Sequence, residues 1–192
     1  MKYLSKNANS SILRDNLTYT QSSIRPVLRQ RLLDEQYGFC AYSEIYIRMI
    51  DSHDIEHFDP GKKGGINDSY YNWYVTLKWV NERKAKKLTQ KYLPILIPSD
   101  KDIRNKIQYM DGIFVATPEG GLEAKNLILF LGLNRPEIYI ERKNHIDRLR
   151  DLRGMTNDIE FRGRLSNDPS LLSFATALEA ELGLNVTDFL ML

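Results

Sequence analysis

Asp54-Ile55-Glu56-His57-Phe58-Asp59-Pro60, followed by Asn72 and then by Asn81-Glu82-Arg83-Lys84, is the stretch that decides how this chain reads. Residues 45–58 are rich in Ile and Tyr and read as extended, although Ile45-Tyr46-Ile47 could equally finish a turn or helix. Gly61 to Ser69 contains Gly64-Gly65 and Asn67-Asp68-Ser69, which predicts a loop. Trp73 to Leu77 is aromatic and β-branched and predicts a second short strand. Val80 to Leu88 holds strong helix formers and predicts a helix. The order strand, loop, strand, helix lets a histidine on the first strand face an asparagine on the helix.

Outward from that stretch the chain is of ordinary composition. Its 192 residues suffice for one domain with a proper core, with or without an added helical lobe. Apolar residues at 42% and charged ones at 27% are usual for a soluble globular protein. Met1-Lys2-Tyr3-Leu4-Ser5-Lys6-Asn7 lacks the apolar stretch of a signal peptide, and no run reaches membrane-spanning length. Cys40 is the only cysteine, so an internal disulfide is excluded, and the expected compartment is a reducing cytoplasm with no membrane partner.

The net charge of +2 argues little for a polyanionic partner, but its distribution argues more. Lys78, Arg83, Lys84, Lys86, Lys87 and Lys91 stand against Glu82 alone, and Lys62 and Lys63 lie in the preceding loop. Such a patch suits phosphate binding, with a plain solvated helix face as the competing reading. The expected nucleic-acid contacts are Lys62, Lys63, Arg83, Lys84, Lys86 and Lys87, with Lys84 one helical turn beyond Asn81.

The flanks predict mostly helix. Residues 1–20 are polar and weakly patterned and read as a loose arm. Ser22 or Ser23 can cap a helix with Pro26 in its first turn and Gly38 at its end. Pro94 and Pro98 mark a connection, and Asp111-Gly112 between apolar runs predicts a hairpin over 107–117. Helices are expected at about 122–131, 136–153, 156–165 and 169–182, closing near Gly132, Gly154 and Gly183. Arg142, Lys143 and His145 read as a surface helix face. The expected organisation is therefore a 1–20 arm, a 21–98 core carrying the motif, and a 99–192 hairpin with a helical supporting lobe.

The motif residues suit cleavage of a phosphodiester. That reaction needs an activated water, neutralisation of added negative charge, and help for the departing 3′ oxygen. A neutral imidazole is matched to take a proton near neutrality, which points to His57. Glu56 and the amide oxygen of Asn81 are hard donors, and with water and phosphate they suit one Mg²⁺ or Mn²⁺ ion. Neighbouring residues on a strand point to opposite faces, so Glu56 and His57 converge only if the backbone bends, for which Asp59-Pro60 is well placed. Asn72, near the loop base, would hold the segment carrying His57. A zinc site from His53, Glu56 and His57 fails, because the order His-x-x-Glu-His is not the metalloprotease order. Taken alone, Glu56 and His57 would read as a surface ion pair and Asn81 as a helix cap.

With those residues in order, the chain resembles the HNH endonuclease superfamily and its ββα-metal fold. It is more closely similar to the HNH proteins of bacterial anti-phage systems, the Septu-type and retron-associated nucleases. Their pattern runs C-x-Y-C-E, I-E-H-F-x-P, a central N, and C-x-x-C-N-x-x-K. Here these read Cys40-Ala41-Tyr42-Ser43-Glu44, Ile55 to Pro60, Asn72, and Asn81-Glu82-Arg83-Lys84. Leu131-Gly132-Leu133-Asn134 and Arg142 extend the likeness, which covers roughly residues 25 to 150. The resemblance implies an α+β fold, a ββα-metal core embedded in a mainly helical single domain. It also implies Glu56 and Asn81 on the catalytic metal, His57 as general base and Asn72 orienting the loop. Double-stranded DNA is the substrate it implies, and an ATPase a partner. A catalytically weakened binding subunit acting only with such a partner is the alternative. The four cysteines that hold a structural zinc in that group are here Cys40, Ser43, Leu77 and Val80, so no structural zinc is expected.

Overall fold

The strand Trp73–Leu77 is buried at every position, and the rest of the molecule is arranged to cover it. The computed structural model describes residues 1–190. In chain order these form α1 (Ser11–Arg14), α2 (Arg25–Glu35), β1 (His53–His57), β2 (Trp73–Leu77), α3 (Lys78–Arg83), α4 (Ile103–Lys106), β3 (Ile107–Met110) and β4 (Ile113–Ala116). There follow α5 (Gly121–Leu131), α6 (Pro136–Met155), α7 (Asp158–Asn167), α8 (Ala175–Leu182) and α9 (Thr187–Leu190). The class is α+β: far more helix than strand, with two separate two-stranded antiparallel sheets among the described residues.

β1 pairs with β2 from His53 opposite Leu77 to His57 opposite Trp73, and α3 follows β2 directly. The other edge of β2 is satisfied by Gln36, whose amide accepts from Val75 N at 2.8 Å and donates to Val75 O at 2.9 Å. Ala41 N adds a bond to the same carbonyl at 3.1 Å. Few polar backbone groups of this central strand are left to water, as a buried strand requires.

The first twenty residues are not a loose arm. Met1, Tyr3, Leu4 and Ile12 are buried, and the Tyr3 ring stacks on Phe39 at 4.6 Å. Lys6 donates to Trp73 O, with its ammonium over the rings of Tyr70 and Tyr74. The segment is held by separate anchors rather than by one amphipathic element, which is why it shows no periodicity. One cluster of buried apolar side chains takes in this segment, the β1–β2 unit and the later helices.

Elsewhere the elements fall near their expected places, with instructive differences. A short 3₁₀ turn, Ser22–Ile24, precedes α2, and neither Ser22 nor Ser23 is its capping residue. Residues 45–52 are not continuous strand: Tyr46 makes an isolated bridge to Phe39, and Arg48–Asp51 turns. α3 ends at Arg83 rather than Leu88, because Lys84 adopts an extended conformation with its side chain turned inward. Asp111 (φ 49°) and Gly112 (φ 88°) make the tight turn of the β3–β4 hairpin, and both need the left-handed region. The segment 169–182 is broken into a 3₁₀ turn, Pro169–Leu172, and α8. Arg142 is no surface residue. It is 2% exposed, donating to Gly112 O at 2.8 Å and Leu133 O at 2.9 Å, and so ties the hairpin to the end of α5. His145 is likewise nearly buried, with Nε2 3.1 Å from Leu171 O. Among the described residues no helix is long and apolar enough to cross a membrane.

Candidate active site

Strand alternation sorts the motif residues before any chemistry does. Asp54 and Glu56 share one face of β1 and His57 takes the other. Asp54, Glu56 and Asn81 line a cavity of about 470 Å³, whose remaining wall comes from Tyr19, Lys63 and the start of α2. His57 lies behind that cavity, its ring meeting the Tyr19 ring edge-on at 4.4 Å. Tyr19 thus stands between the imidazole and the open space.

His57 is 2% exposed and is fixed by Asp68, whose Oδ2 lies 3.0 Å from Nε2. Asp68 is itself held, accepting from Gly64 N at 2.8 Å and from Trp73 Nε1 at 2.5 Å. An ionised carboxylate only accepts, so Nε2 carries the proton and Nδ1 keeps the free lone pair. Burial pushes the imidazole below its ordinary pKa, and Asp68 offsets this in part. The ring is therefore neutral, and basic at Nδ1, at neutral pH.

Asn72 clamps the loop. Its Oδ1 accepts from Asp59 N at 2.8 Å and its Nδ2 donates to Asp59 O at 3.1 Å. Its carbonyl accepts from Phe58 N at 2.8 Å. These three bonds fix the backbone on the C-terminal side of His57, the position expected from the sequence.

Glu56 is engaged by a neighbour rather than by Asn81. Lys84 Nζ sits 3.0 Å from Glu56 Oε1, donates to Phe58 O and Ala85 O, and lies 4.4 Å from the centroid of the Phe130 ring. At 3% exposed, Lys84 is not the free phosphate contact that its motif position predicts. Burial lowers its pKa, and Glu56 opposes that shift. Asn81, half-buried on α3, makes no side-chain hydrogen bond among the described residues, so its amide is available to the cavity.

The basic residues divide. Lys63 lines the cavity, while Lys62, Lys86 and Lys87 are exposed outside it. Arg83 faces elsewhere: it donates to Trp79 O at 2.7 Å and lies 3.8 Å from Glu137, in a separate groove between α3 and α6. His53 Nδ1 is 2.8 Å from Asp51 O and takes no part in the site. Cys40 is buried with its Sγ 3.4 Å from Leu77 N, and Leu77 and Val80 pack into the core. Asp68, Tyr19, Arg25 and Arg29 all contribute and were not expected. Asp68 reads in sequence as one more turn residue, and Tyr19 lies in the segment taken for an arm.

Among the described residues no group of three or more His, Cys, Asp or Glu side chains is arranged to hold a metal, so a closed cage is not available. The donors that do share the cavity, Glu56, Asp54 and the unbonded amide of Asn81, are all hard oxygens. They fit a cation that keeps most of its water, as Mg²⁺ does. No protein-family model matches the chain, and no curated protein or solved structure matches it either.

Proposed function

We propose that this chain is a metal-dependent endonuclease of the HNH type, hydrolysing phosphodiester bonds of nucleic acid, with DNA as the favoured substrate. The observation that supports this best is the pairing of two features across β1. A cavity lined by oxygen donors and cations lies on one face of β1. On the other face, separated from the cavity by Tyr19, stands a histidine held by a buried carboxylate. Once the Tyr19 ring moves aside, His57 Nδ1 would take a proton from the attacking water as its oxygen bonds to phosphorus. The bond from phosphorus to the 3′ oxygen breaks, and solvent protonates that oxygen. Asp68 would stabilise the imidazolium so formed. Glu56 and Asn81 would hold the divalent ion, which when bound supplies charge neutralisation at the phosphate and the leaving oxygen.

The setting that the resemblance implies is an anti-phage effector working with an ATPase. One observation favours a second reading, in which the chain is weak alone and needs a partner. Lys84 already occupies one oxygen of Glu56, and Tyr19 covers His57. Plasmid nicking with Mg²⁺, Mn²⁺ or EDTA tests the primary reading. Wild type should cut only with the metal, and His57→Ala should lose about 10² to 10⁴ in rate. Undiminished cleavage by His57→Ala removes the assignment. Wild type silent alone but active when an ATPase partner is added establishes the second reading.

A further inference from the structure

We propose that the wall facing the carboxylates is a phosphate-binding subsite, in which Arg25, Arg29 and Lys63 grip the backbone of a nucleic-acid strand. The subsite depends on the nuclease reading for which bond is cut, though not for the binding itself. Arg25 and Arg29 are four residues apart on α2 and so present one face to the cavity that they line with Lys63. None of the three has a carboxylate partner among the described residues. Asp54 and Glu56 line the same cavity, but Glu56 is paired with Lys84, so the three cations outnumber the free carboxylates and leave room for an anion.

Their placement is built rather than incidental. Arg25 Nε donates to Tyr19 O at 2.8 Å, and its guanidinium lies 4.4 Å from the Tyr19 ring centroid. That orientation leaves both terminal nitrogens to form the fork that matches a phosphate. Lys63 Nζ lies 5.4 Å from the same centroid. Tyr19 meets His57 edge-on, so one tyrosine sets the distance between the cations and the imidazole. Asp54 and Glu56 on the opposite wall would repel an acidic peptide lying along the cavity. A strand with one phosphate on the arginines avoids them. The exposed Lys86 and Lys87, by contrast, lie outside this cavity.

The test is equilibrium binding of a labelled DNA duplex, and of its single strand, in EDTA so that nothing turns over. Arg25→Gln/Arg29→Gln should weaken binding about tenfold or more, since charge-assisted phosphate contacts carry most of the affinity. It should also lower the slope of log affinity against log salt by about 2. Arg25→Gln and Lys63→Gln, at exposed positions where folding is not at stake, should each lower it by about 1. Lys86→Gln/Lys87→Gln should do less. The subsite is overturned by an unchanged affinity and slope in the arginine variants. It is also overturned by a wild type that binds no nucleic acid, or by a polyglutamate peptide that competes as well as DNA. Arginine-dependent binding without cleavage in Mg²⁺ or Mn²⁺, whether alone or with an ATPase partner added, sinks the nuclease reading and leaves the subsite standing. Cleavage that is indifferent to the arginines does the reverse.

Discussion

His57 depends on a residue eleven positions away for its chemical form. Asp68 Oδ2 holds Nε2 at 3.0 Å, and Asp68 is in turn pinned by Gly64 N and Trp73 Nε1, so both partners are rigid. Asp68→Asn keeps the shape but removes the charge that favours the imidazolium, and its amide can present a donor where an acceptor is needed. The expected loss in cleavage rate is about tenfold to a hundredfold, the scale for a residue that orients another. The ring ¹⁵N spectrum of His57 should shift away from the Nε2–H tautomer. An unchanged rate with an unchanged tautomer would show that Asp68 only fastens the loop. His57→Ala should also melt earlier, because the imidazole is 2% exposed and its removal leaves a hole. The order and spacing of the motif made legible the Asn72 clamp on Asp59 and the placing of Glu56 and Asn81 beside one cavity. The expected convergence of Glu56 with His57 fails, because no bend interrupts β1 and the two side chains take opposite faces. Asp68 was not legible, since turn composition explains it without any partner. The burial of Lys84 was not either, because lysine almost always faces water.

At the scale of elements, the junction of β1 with α3 carries the most consequence. The strand Trp73–Leu77 and the Asp111-Gly112 hairpin were readable from local chemistry alone. The end of α3 was not. Its sequence continues to favour helix, but Lys84 turns in to Glu56 and Ala85 N bonds to Phe130 O at 3.0 Å, so tertiary contacts override propensity. The break before α8 has a similar origin: Phe174 sits at φ 61° with its N donating to Glu44 O at 2.7 Å. The Lys84–Glu56 pair also sets the state of the site. Lys84→Met leaves the Glu56 carboxylate without its counter-ion and should destabilise the fold, by up to about 3–5 kcal/mol as for other buried pairs that lose one partner. Glu56→Gln/Lys84→Met should cost less than the two single changes added together. If the ammonium competes with a divalent ion for Glu56, Mg²⁺ or Mn²⁺ should raise the melting temperature of Lys84→Met more than that of wild type. Equal shifts would mean that the pair and the ion do not share an oxygen.

Across the whole molecule, the N-terminal segment, the turn that follows Cys40 and the start of α8 meet at Glu44. This residue is 2% exposed at φ 61°, accepting from Lys2 N at 2.7 Å, Thr176 N at 2.8 Å and Thr176 Oγ1 at 2.7 Å. Burial alone would raise its pKa. The Met1 ammonium and the hydrogen bonds from Thr176 and Lys2 outweigh burial and hold it below the ordinary 4.5. The folded state therefore binds fewer protons at Glu44 than the unfolded chain does between those two pKa values. Its stabilisation is complete above the unfolded value and disappears as pH falls through the folded one. Glu44→Gln should cost about 2–3 kcal/mol near neutrality, where charged hydrogen bonds are exchanged for neutral ones. The gap between wild type and variant should narrow steadily as the solution is acidified below 4.5. Urea unfolding of both proteins across that range measures the gap directly. A difference that stays constant with pH would mean that Glu44 fills space at this junction and that its charge does not hold the three parts together.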